Sequence, residues 1–205
     1  MLIGIAGGTG SGKSTFSERI QARFPEEILV LYHDNYYKPY AEIPFEERVK
    51  LNYDCPEAFD NLLFRRDLES LKRGETIEGP VYDYTHYIRL PETQTLVARP
   101  IILVEGILIF DDPRIRELFD LRIFVDTDAD VRILRRMKRD VLERGRSIES
   151  IESQYLQTVK PMHERYVEPL KKYAHLIVPE GGYNEVALQM VIHTLEAVLR
   201  DGPEG

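Results

Sequence analysis

The sequence predicts an α/β fold in which helices flank a doubly wound parallel sheet. Three observations predict it: strands alternate with helices, a glycine-rich turn joins the first strand to the first helix, and the central strands are apolar on both faces. Such strands belong inside a sheet that helices cover on both sides. Ligands bind these sheets beyond the carboxyl ends of the strands, so functional residues are expected there.

In the first half of the chain, short apolar segments alternate with helical ones. The segment "LIGIA" predicts a buried strand, followed by a helix from Lys13 to Arg23 and a second strand at "ILVLYH". Residues 34–53 are rich in tyrosine and proline, which predicts a loop with a short helix at "FEERVK". Leucines at helical spacing predict the next helix over residues 60–71.

In the second half of the chain, the spacing of apolar residues changes from helical to strand-like. Residues 75–99 contain "TIEGPVYDY" and "TQTLVAR", which predict an antiparallel β-hairpin outside the parallel sheet. Further strands are expected at "IILVEGILIF", "LRIFVD" and "AHLIVP". Helices are expected at "PRIRELF", over residues 128–143, at "SIESIESQYLQTVK" and at "NEVALQMVIHTLEAVLR", the last capped by Asn184. Residues 1–205 are thus expected to form a single domain with a frayed end at "DGPEG".

Composition and charge narrow the classes of function. A hydrophobic content of 43% and a charged content of 30% are typical of a soluble globular protein. No apolar run reaches the ~18 residues that cross a bilayer, so no membrane partner is expected. The single cysteine, Cys55, excludes a disulfide framework and indicates a reducing cytoplasm.

Charge is distributed unevenly along the chain. The segment from Arg132 to Arg146 has seven bases and two acids, so it carries +5 while the remainder carries −13. A body this acidic repels a long polyanion, and no nucleic-acid partner is expected. The local basic segment suits a small anion better.

The strongest functional signal is the octet "GGTGSGKS", which matches G-x-x-x-x-G-K-[ST] between a predicted strand and a predicted helix. In this P-loop pattern, glycines turn backbone N–H groups toward an anion, and the N-terminus of the helix adds its positive end. Lys13 is expected to reach the β- and γ-phosphates, and Ser14 to coordinate Mg²⁺. A glycine-rich turn without a ligand is the alternative. The predicted nucleotide contacts in this turn are Gly7, Gly8, Thr9, Gly10, Ser11, Gly12, Lys13, Ser14 and Thr15.

Glu105 lies in the middle of the apolar segment "IILVEGILIF". An unpaired charge in a buried strand costs several kcal/mol, so Glu105 must face water or a cation. A strand that ends beside the phosphate turn needs an acid near the metal, which makes Glu105 a candidate metal ligand, directly or through a water. Pairing with a buried arginine is the alternative.

Two further acids precede Glu105. Asp34, in "YHDNYYK", follows the second strand at the sheet edge predicted to hold Ser14, where it could accept a hydroxyl proton and hold a metal-bound water. Asp54, in "NYDCPEAFD", precedes a proline turn. Taken singly, each is as well explained by a turn or a helix cap.

Nine segments together resemble the uridine–cytidine kinase family over essentially the whole chain. They occur in that family's order and spacing: "GGTGSGKST", "DNYY", "NYDCPEAFD", "PVYDY", "VEGIL", "FVDTDAD", "RRMKRDVLERGRS", "QYLQTVKPM" and "YAHLIVPEGG". The resemblance implies transfer of the γ-phosphate of ATP (or GTP) to the 5′-hydroxyl of a pyrimidine ribonucleoside, a reaction of pyrimidine salvage. It also suggests a homotetramer.

The resemblance implies a role for each motif residue. Asp34 becomes the catalytic base near Mg²⁺, with Ser14 and Glu105 completing the metal surroundings. Asp54, assisted by Arg136 and Gln154, would bind the ribose 2′- and 3′-hydroxyls, since a carboxylate can accept two vicinal donors. The remaining implied contacts are Tyr53, Tyr82, Tyr84, Tyr87 and Arg146 with the base, and Arg135 and Tyr183 with the donor nucleotide. Ordinary packing of the hairpin remains the alternative for Tyr84.

The basic helix gains a role from this resemblance. Arg132, Arg135, Arg136 and Arg139 fall on one side of it at helical spacing. Residues 128–146 would then form a lid that neutralises transition-state charge and excludes water. Arg135, Arg139 and Arg144 are the candidates, and a solvated basic face is the alternative.

The sequence departs from the family pattern at three positions. Tyr87 stands where a histidine is common, and His86 cannot replace that histidine because adjacent strand residues point to opposite faces. A longer phenol would change which base fits, so we expect cytidine to be favoured over uridine. Cys55 replaces a histidine and is interpreted as a reduced, structural thiol. Glu180 replaces a basic residue near the donor purine, which leaves ATP versus GTP open.

Rival functions remain at this point. Another small-molecule kinase, resembling phosphoribulokinase or pantothenate kinase, would lack the aromatic wall and the "YDY" hairpin. A GTP-dependent switch is disfavoured because the chain has no N-K-x-D motif and would not need two acids on the acceptor side. A nucleic-acid-associated ATPase that uses the arginine-rich segment is disfavoured by the acidic remainder.

Overall fold

The computed structural model describes residues 1–201, and residues 202–205, most of the predicted frayed end, lie outside the described residues. Five parallel strands form the main sheet in the order β2-β5-β1-β6-β7, and β3 and β4 form a separate antiparallel pair. The strands are β1 (Leu2–Ala6), β2 (Ile28–Tyr32), β3 (Ile77–Asp83), β4 (Ile88–Leu96), β5 (Ile101–Glu105), β6 (Leu121–Asp126) and β7 (Leu176–Pro179). The predicted fold class and the predicted hairpin are thereby confirmed.

Helices cover both faces of the main sheet. They are α1 (Lys13–Arg23), α2 (Phe45–Arg48), α3 (Asn61–Lys72), α4 (Pro113–Arg116), α5 (Ala129–Leu142), α6 (Ile148–Gln154), α7 (Lys160–Met162) and α8 (Glu185–Asp201). Local sequence explains their starts: Asp60 accepts a hydrogen bond from the Leu63 N–H, and Ser147 accepts one from the Ser150 N–H. Asn184 likewise accepts a bond from the Ala187 N–H, as the capping signal predicts. No helix in residues 1–201 is long and apolar enough to cross a membrane.

The sheet separates two hydrophobic cores, because alternate side chains of a strand point to opposite faces. Ile3 and Ile5 of β1 pack with α1 and α8 on one face. Leu2 and Ala6 face the other core, which includes Phe64 and other side chains of α3. Burial of β1 and β5 on both faces accounts for their unbroken apolar sequences.

The strand predicted for residues 101–110 is shorter than expected. β5 ends at Glu105, which pairs with Ile5 of β1 and with Tyr32, the last residue of β2. A strand cannot continue in a sheet whose neighbouring strands have ended, so residues 107–110 turn away and pack in the core. Glu105 is therefore the carboxyl end of the strand and not its middle, which places it at the edge where ligands bind.

The helix predicted at "SIESIESQYLQTVK" continues further than its own segment. α6 passes into π-helical turns at Tyr155–Val159 and His163–Val167, on either side of α7, and then into a 3₁₀ segment at Glu168–Tyr173. The extra residue in each π turn is typical of helices that serve functional sites. Of this long element, Gln154 borders the cavity described below.

Candidate active site

Backbone conformation shapes the glycine-rich turn between β1 and α1. Gly10 and Gly12 have φ of 76° and 92°, in the left-handed region that side chains rarely adopt. A Cβ at Gly10 would collide with the carbonyl oxygen of Arg132 on α5, so the turn lies directly against the basic helix. The backbone N–H groups of the first turn of a helix have no partner within the helix, so the start of α1 can bind an anion.

Glu105 is held at the mouth of this turn. The Ser14 hydroxyl donates a 2.7 Å hydrogen bond to Glu105 Oε1, and Lys13 Nζ lies 3.9 Å from the same oxygen. Burial raises the pKa of Glu105, while Lys13 and Ser14 oppose that rise. Glu105 is 6% exposed, and its ion-pair partner among the described residues is Lys13, not the buried arginine considered as an alternative.

The oxygen atoms at this point fit Mg²⁺. Glu105 Oε2 is buried without a hydrogen-bond partner, beside the hydroxyl of Ser14. The described residues contain no cluster of three or more His, Cys, Asp or Glu side chains that could hold a metal alone. Mg²⁺ suits such a site because it takes one or two protein oxygens and completes its shell with phosphates and water.

Asp34 reaches the same cavity from the end of β2. The 3₁₀ turn His33–Tyr36 carries it, and His33 anchors the turn by stacking on Phe59 at 3.9 Å and bonding Asn61 Oδ1 at 3.2 Å. Burial lowers the pKa of His33 to about 3, so the ring is neutral. Burial also raises the pKa of Asp34, against the opposing charges of Lys13, Arg144 and Arg139.

Asp54 lies across the cavity among polar groups from α5 and α6. Arg136 donates a 2.7 Å hydrogen bond to Gln154 Oε1, and Arg146 donates another 2.7 Å bond to the same oxygen. Arg136 also donates to the Thr9 hydroxyl at 3.3 Å. Burial raises the pKa of Asp54, and Arg136 opposes that rise. The three predicted ribose contacts thus lie together.

Tyrosine rings line the end of the cavity that the hairpin forms. Tyr53 and Tyr87 have ring centroids 5.5 Å apart, and Tyr82 and Tyr84 have theirs 5.2 Å apart. Tyr87 has φ 53°, and this turn directs His86 outward, where its Nδ1 lies 2.7 Å from Asp83. His86 does not border the cavity, but the strand-face argument for its exclusion was wrong, because His86 and Tyr87 both lie in the turn between β3 and β4 and not on a strand.

Most predicted site residues border one cavity of about 460 Å³. The predicted residues on its wall are Thr9, Lys13, Ser14, Asp34, Tyr53, Asp54, Tyr82, Tyr84, Tyr87, Glu105, Arg136, Arg139, Arg144, Arg146 and Gln154. The predicted turn residues that do not border it are Gly7, Gly8, Gly10, Ser11, Gly12 and Thr15. Arg135 and Tyr183 also lie outside it, behind the glycine turn. Arg135 Nη1 is 3.4 Å from the Ser11 carbonyl oxygen, and its guanidinium lies 5.8 Å from the Tyr183 ring, which is 72% exposed.

Sequence reasoning missed several wall residues. Tyr37 is buried, lines the cavity and contacts Tyr53 and Tyr82 at 5.2 Å and 5.1 Å between ring centroids. Tyr37 follows the 3₁₀ turn in an extended conformation, so no local signal in the sequence marks it as a wall residue. Ile107, Tyr32 and Glu143 also border the cavity, likewise without a local signal.

A parallel sheet with a glycine-rich phosphate turn, a lysine and serine beside a buried acid, and a second acid facing them defines a P-loop kinase. The family model described as "Phosphoribulokinase / Uridine kinase family" matches residues 2–187. The chain belongs to this family, and it is an ATP-dependent kinase.

Curated relatives match nearly the whole chain. A uridine kinase of Clostridium perfringens is 52% identical over 200 residues, which is 97% of this chain and 96% of the relative. A uridine kinase of Chloroflexus aurantiacus is 48% identical over 204 residues, 99% of this chain and 98% of the relative. The structure of phosphoribulokinase from Rhodobacter spheroides aligns with a TM-score of 0.62 at 15% identity, over 84% of this chain and 67% of that one. That likeness concerns the fold alone.

Proposed function

We propose that this protein is a pyrimidine ribonucleoside kinase that transfers the γ-phosphate of ATP to the 5′-hydroxyl of cytidine or uridine. The observation that carries the proposal is the position of Asp34 and Asp54, which border the same cavity as Lys13 and the tyrosine rings. Asp34 lies on the side of the phosphate turn, where the phosphate donor would bind. Asp54 lies on the side of Arg136, where the sugar of the acceptor would bind. The curated relatives are uridine kinases, which supports the same substrate class.

On the donor side, the backbone of residues 7–15 and Lys13 bind the phosphates. Ser14 and Glu105 would hold Mg²⁺, with Asp34 holding a metal-bound water. When bound, Mg²⁺ neutralises charge on the phosphate oxygens. Arg135 and Tyr183, behind the turn, would contact the base of the donor nucleotide. Glu180 is exposed at the end of β7 and leaves the choice between ATP and GTP to experiment.

On the acceptor side, Asp54, Arg136 and Gln154 orient the ribose, and the tyrosine rings hold the base between flat faces. Asp34 accepts the proton of the 5′-hydroxyl of the nucleoside. As it does so, the 5′-oxygen forms a bond to the γ-phosphorus, and the bond between the γ-phosphorus and the bridging oxygen of ADP breaks. The products are the nucleoside monophosphate, ADP and a protonated Asp34, which then releases the proton. Arg139 and Arg144 face the developing charge from the helical lid of residues 128–146.

The chemistry of Tyr87 leads us to propose that cytidine is preferred. A phenol stands at the end of the base wall where the family commonly places an imidazole, and it is longer. The measurement is kcat/KM for cytidine against uridine. Equal values would reject this part of the proposal and leave the kinase assignment intact.

The setting of the reaction is also part of the proposal. The product would enter pyrimidine salvage in the cytoplasm, where the single thiol, Cys55, stays reduced. We further propose a homo-oligomer, a tetramer in keeping with the family, which sedimentation equilibrium would measure directly.

The function is tested by ATP consumption with a panel of acceptors. Cytidine and uridine should support turnover, and deoxycytidine should support much less, because the ribose site would then be left partly unpaired. Adenosine, ribulose 5-phosphate and pantothenate should give no more than the rate without acceptor. Turnover with ribulose 5-phosphate or pantothenate in place of the nucleosides would refute the proposal.

A further inference from the structure

Asp140 is a buried carboxylate that lies on the inner side of α5 and does not border the cavity. It is 0% exposed, and four arginines surround it. No substrate can reach it, and no role assigned so far uses it. Its contacts are nevertheless all with arginines that the proposed reaction requires.

The two oxygens of Asp140 contact different pairs of arginines. Oδ1 accepts a 2.9 Å hydrogen bond from Arg139 Nε, and it lies 2.8 Å from Arg139 Nη2 and 3.5 Å from Arg144 Nη1. Oδ2 lies 3.5 Å from Arg146 Nη1 and 3.6 Å from Arg136 Nε. The first pair faces the phosphate side of the cavity, and the second pair binds Gln154 on the nucleoside side.

Local backbone structure brings these arginines to one carboxylate. Arg136 lies one helical turn before Asp140, and α5 ends two residues after it. Gly145, with φ 62°, then turns the chain back, and the Arg146 N–H donates a 3.1 Å bond to the Asp140 carbonyl oxygen. Side chains from both sides of this turn therefore converge on Asp140.

Electrostatics makes a central anion necessary. Four guanidinium groups within 4 Å of one point repel one another, and they would separate into solvent without a counter-ion. A single buried carboxylate holds them together and leaves the cluster with a net positive charge toward the cavity. The arrangement is then formed before the phosphates arrive, which is how electrostatic stabilisation acts in enzymes.

We propose that Asp140 is a positioning residue that holds the phosphate-side pair, Arg139 and Arg144, in fixed relation to the nucleoside-side pair, Arg136 and Arg146. The assignment of one pair to the phosphates and of the other pair to the nucleoside rests on the proposed function. Through this link, the ribose site and the transition-state arginines share one anchor. Disturbing the anchor disturbs both sides together.

The test is Asp140→Asn, which keeps the shape of the side chain and removes its charge. We expect kcat to fall at least tenfold and KM for the nucleoside to rise several-fold, in protein that still unfolds cooperatively. The matched control is Glu149→Gln, an exposed acid in the first turn of α6 and outside residues 128–146, which should leave both constants within twofold of wild type. A kcat within twofold of wild type for Asp140→Asn would overturn the proposal.

A double-mutant cycle separates positioning from general destabilisation. If Asp140 acts through Arg139, Asp140→Asn should cost far less kcat in an Arg139→Gln background than in wild type. An equal loss in both backgrounds would mean a merely structural role and would overturn the proposal. If Asp140→Asn does not fold, Asp140→Glu replaces it in the same cycle, since it keeps the charge but moves it by one methylene.

A measurement independent of nucleoside chemistry keeps this inference distinct from the proposed function. The Nε–H proton of Arg139 should exchange slowly with water in wild type and in Glu149→Gln, as followed by ¹⁵N NMR, and rapidly in Asp140→Asn. Fast exchange in wild type would refute the anchor even if the nucleosides are phosphorylated. Slow exchange with no turnover of any nucleoside would refute the proposed function and support the anchor.

Discussion

The phosphate side and the acceptor side of the cavity are built in different ways. On the phosphate side, Glu105 at the end of β5 contacts Ser14 and Lys13 in the first turn of α1 at 2.7 Å and 3.9 Å. On the acceptor side, the wall comes largely from loops and from the two-stranded hairpin outside that sheet. The aromatic rings of its tyrosines contact one another, as Tyr82 and Tyr84 do with ring centroids 5.2 Å apart, and Tyr84 is 44% exposed.

This difference indicates how one fold serves several acceptors. The end of β5 and the start of α1, which follows β1, carry the phosphate-side residues, so that side depends on the architecture itself. A hairpin and loops can change in sequence and length without disturbing the main core. If the proposed function holds, we therefore expect the acceptor wall to determine substrate choice and the residues at the end of β5 and the start of α1 to determine the ability to transfer a phosphate.

The strongest test of this division concerns Asp34, where the two sides meet. Asp34→Asn should lower kcat by about a thousandfold, because the amide cannot accept the hydroxyl proton. Steady-state assays with cytidine and uridine measure this, and binding of ATP should persist. Glu75→Gln, an exposed acid-to-amide change before β3, serves as the control. More than a tenth of wild-type turnover in Asp34→Asn would exclude Asp34 as the base.

A smaller reduction in kcat is expected from a substitution on the phosphate side alone. Glu105→Gln should reduce kcat by roughly a hundredfold, since a charge that would hold Mg²⁺ is lost from a buried position. The reduction should be the same for every accepted nucleoside, and the Mg²⁺ concentration for half-maximal activity should rise. A loss confined to one nucleoside would contradict the division into two sides.

A substitution in the acceptor wall should change which nucleoside is preferred more than it changes the rate of phosphate transfer. Tyr87→His should shift the ratio of kcat/KM for uridine over cytidine upward by about tenfold, with a smaller change in the better of the two values. Histidine also tolerates the left-handed backbone at this position better than most residues. His86→Tyr, a change outside the cavity, is the matched control. An unchanged ratio in Tyr87→His would remove Tyr87 from base selection.

The smallest expected effect is a displacement of the pH profile. Asp34 must be ionised to accept a proton, so kcat/KM should fall as pH decreases through its pKa. Arg144 lowers the pKa of Asp34 against the effect of burial. Arg144→Gln should therefore raise that pKa and move the acid limb to higher pH. The normalised profiles of wild type, Arg144→Gln and the exposed-lysine control Lys138→Gln measure this, and a limb that moves to lower pH would contradict the assignment.

Sequence reasoning predicted the regular elements closely, since their signals are local. The helix from Lys13 to Arg23 matches its predicted bounds, because a P-loop pattern and a following polar turn define both ends. The end of β5 was predicted wrongly, because residues 107–110 are as apolar as a strand and only the ends of β1 and β2 terminate it. The ends of a helix or strand can be predicted from sequence only when its own residues, and not its neighbours in the fold, determine where it stops.

The sequence by itself determined the parallel α/β fold, the phosphate turn and the identity of the acids near it, because spacing along the chain carries those signals. Only the tertiary structure decided that Arg135 lies against the carbonyl oxygen of Ser11 and near the ring of Tyr183, and that Tyr37 joins the cavity wall. Contacts of this kind depend on how separate elements and turns approach one another. That approach is set by packing over the whole molecule, which no short stretch of sequence records.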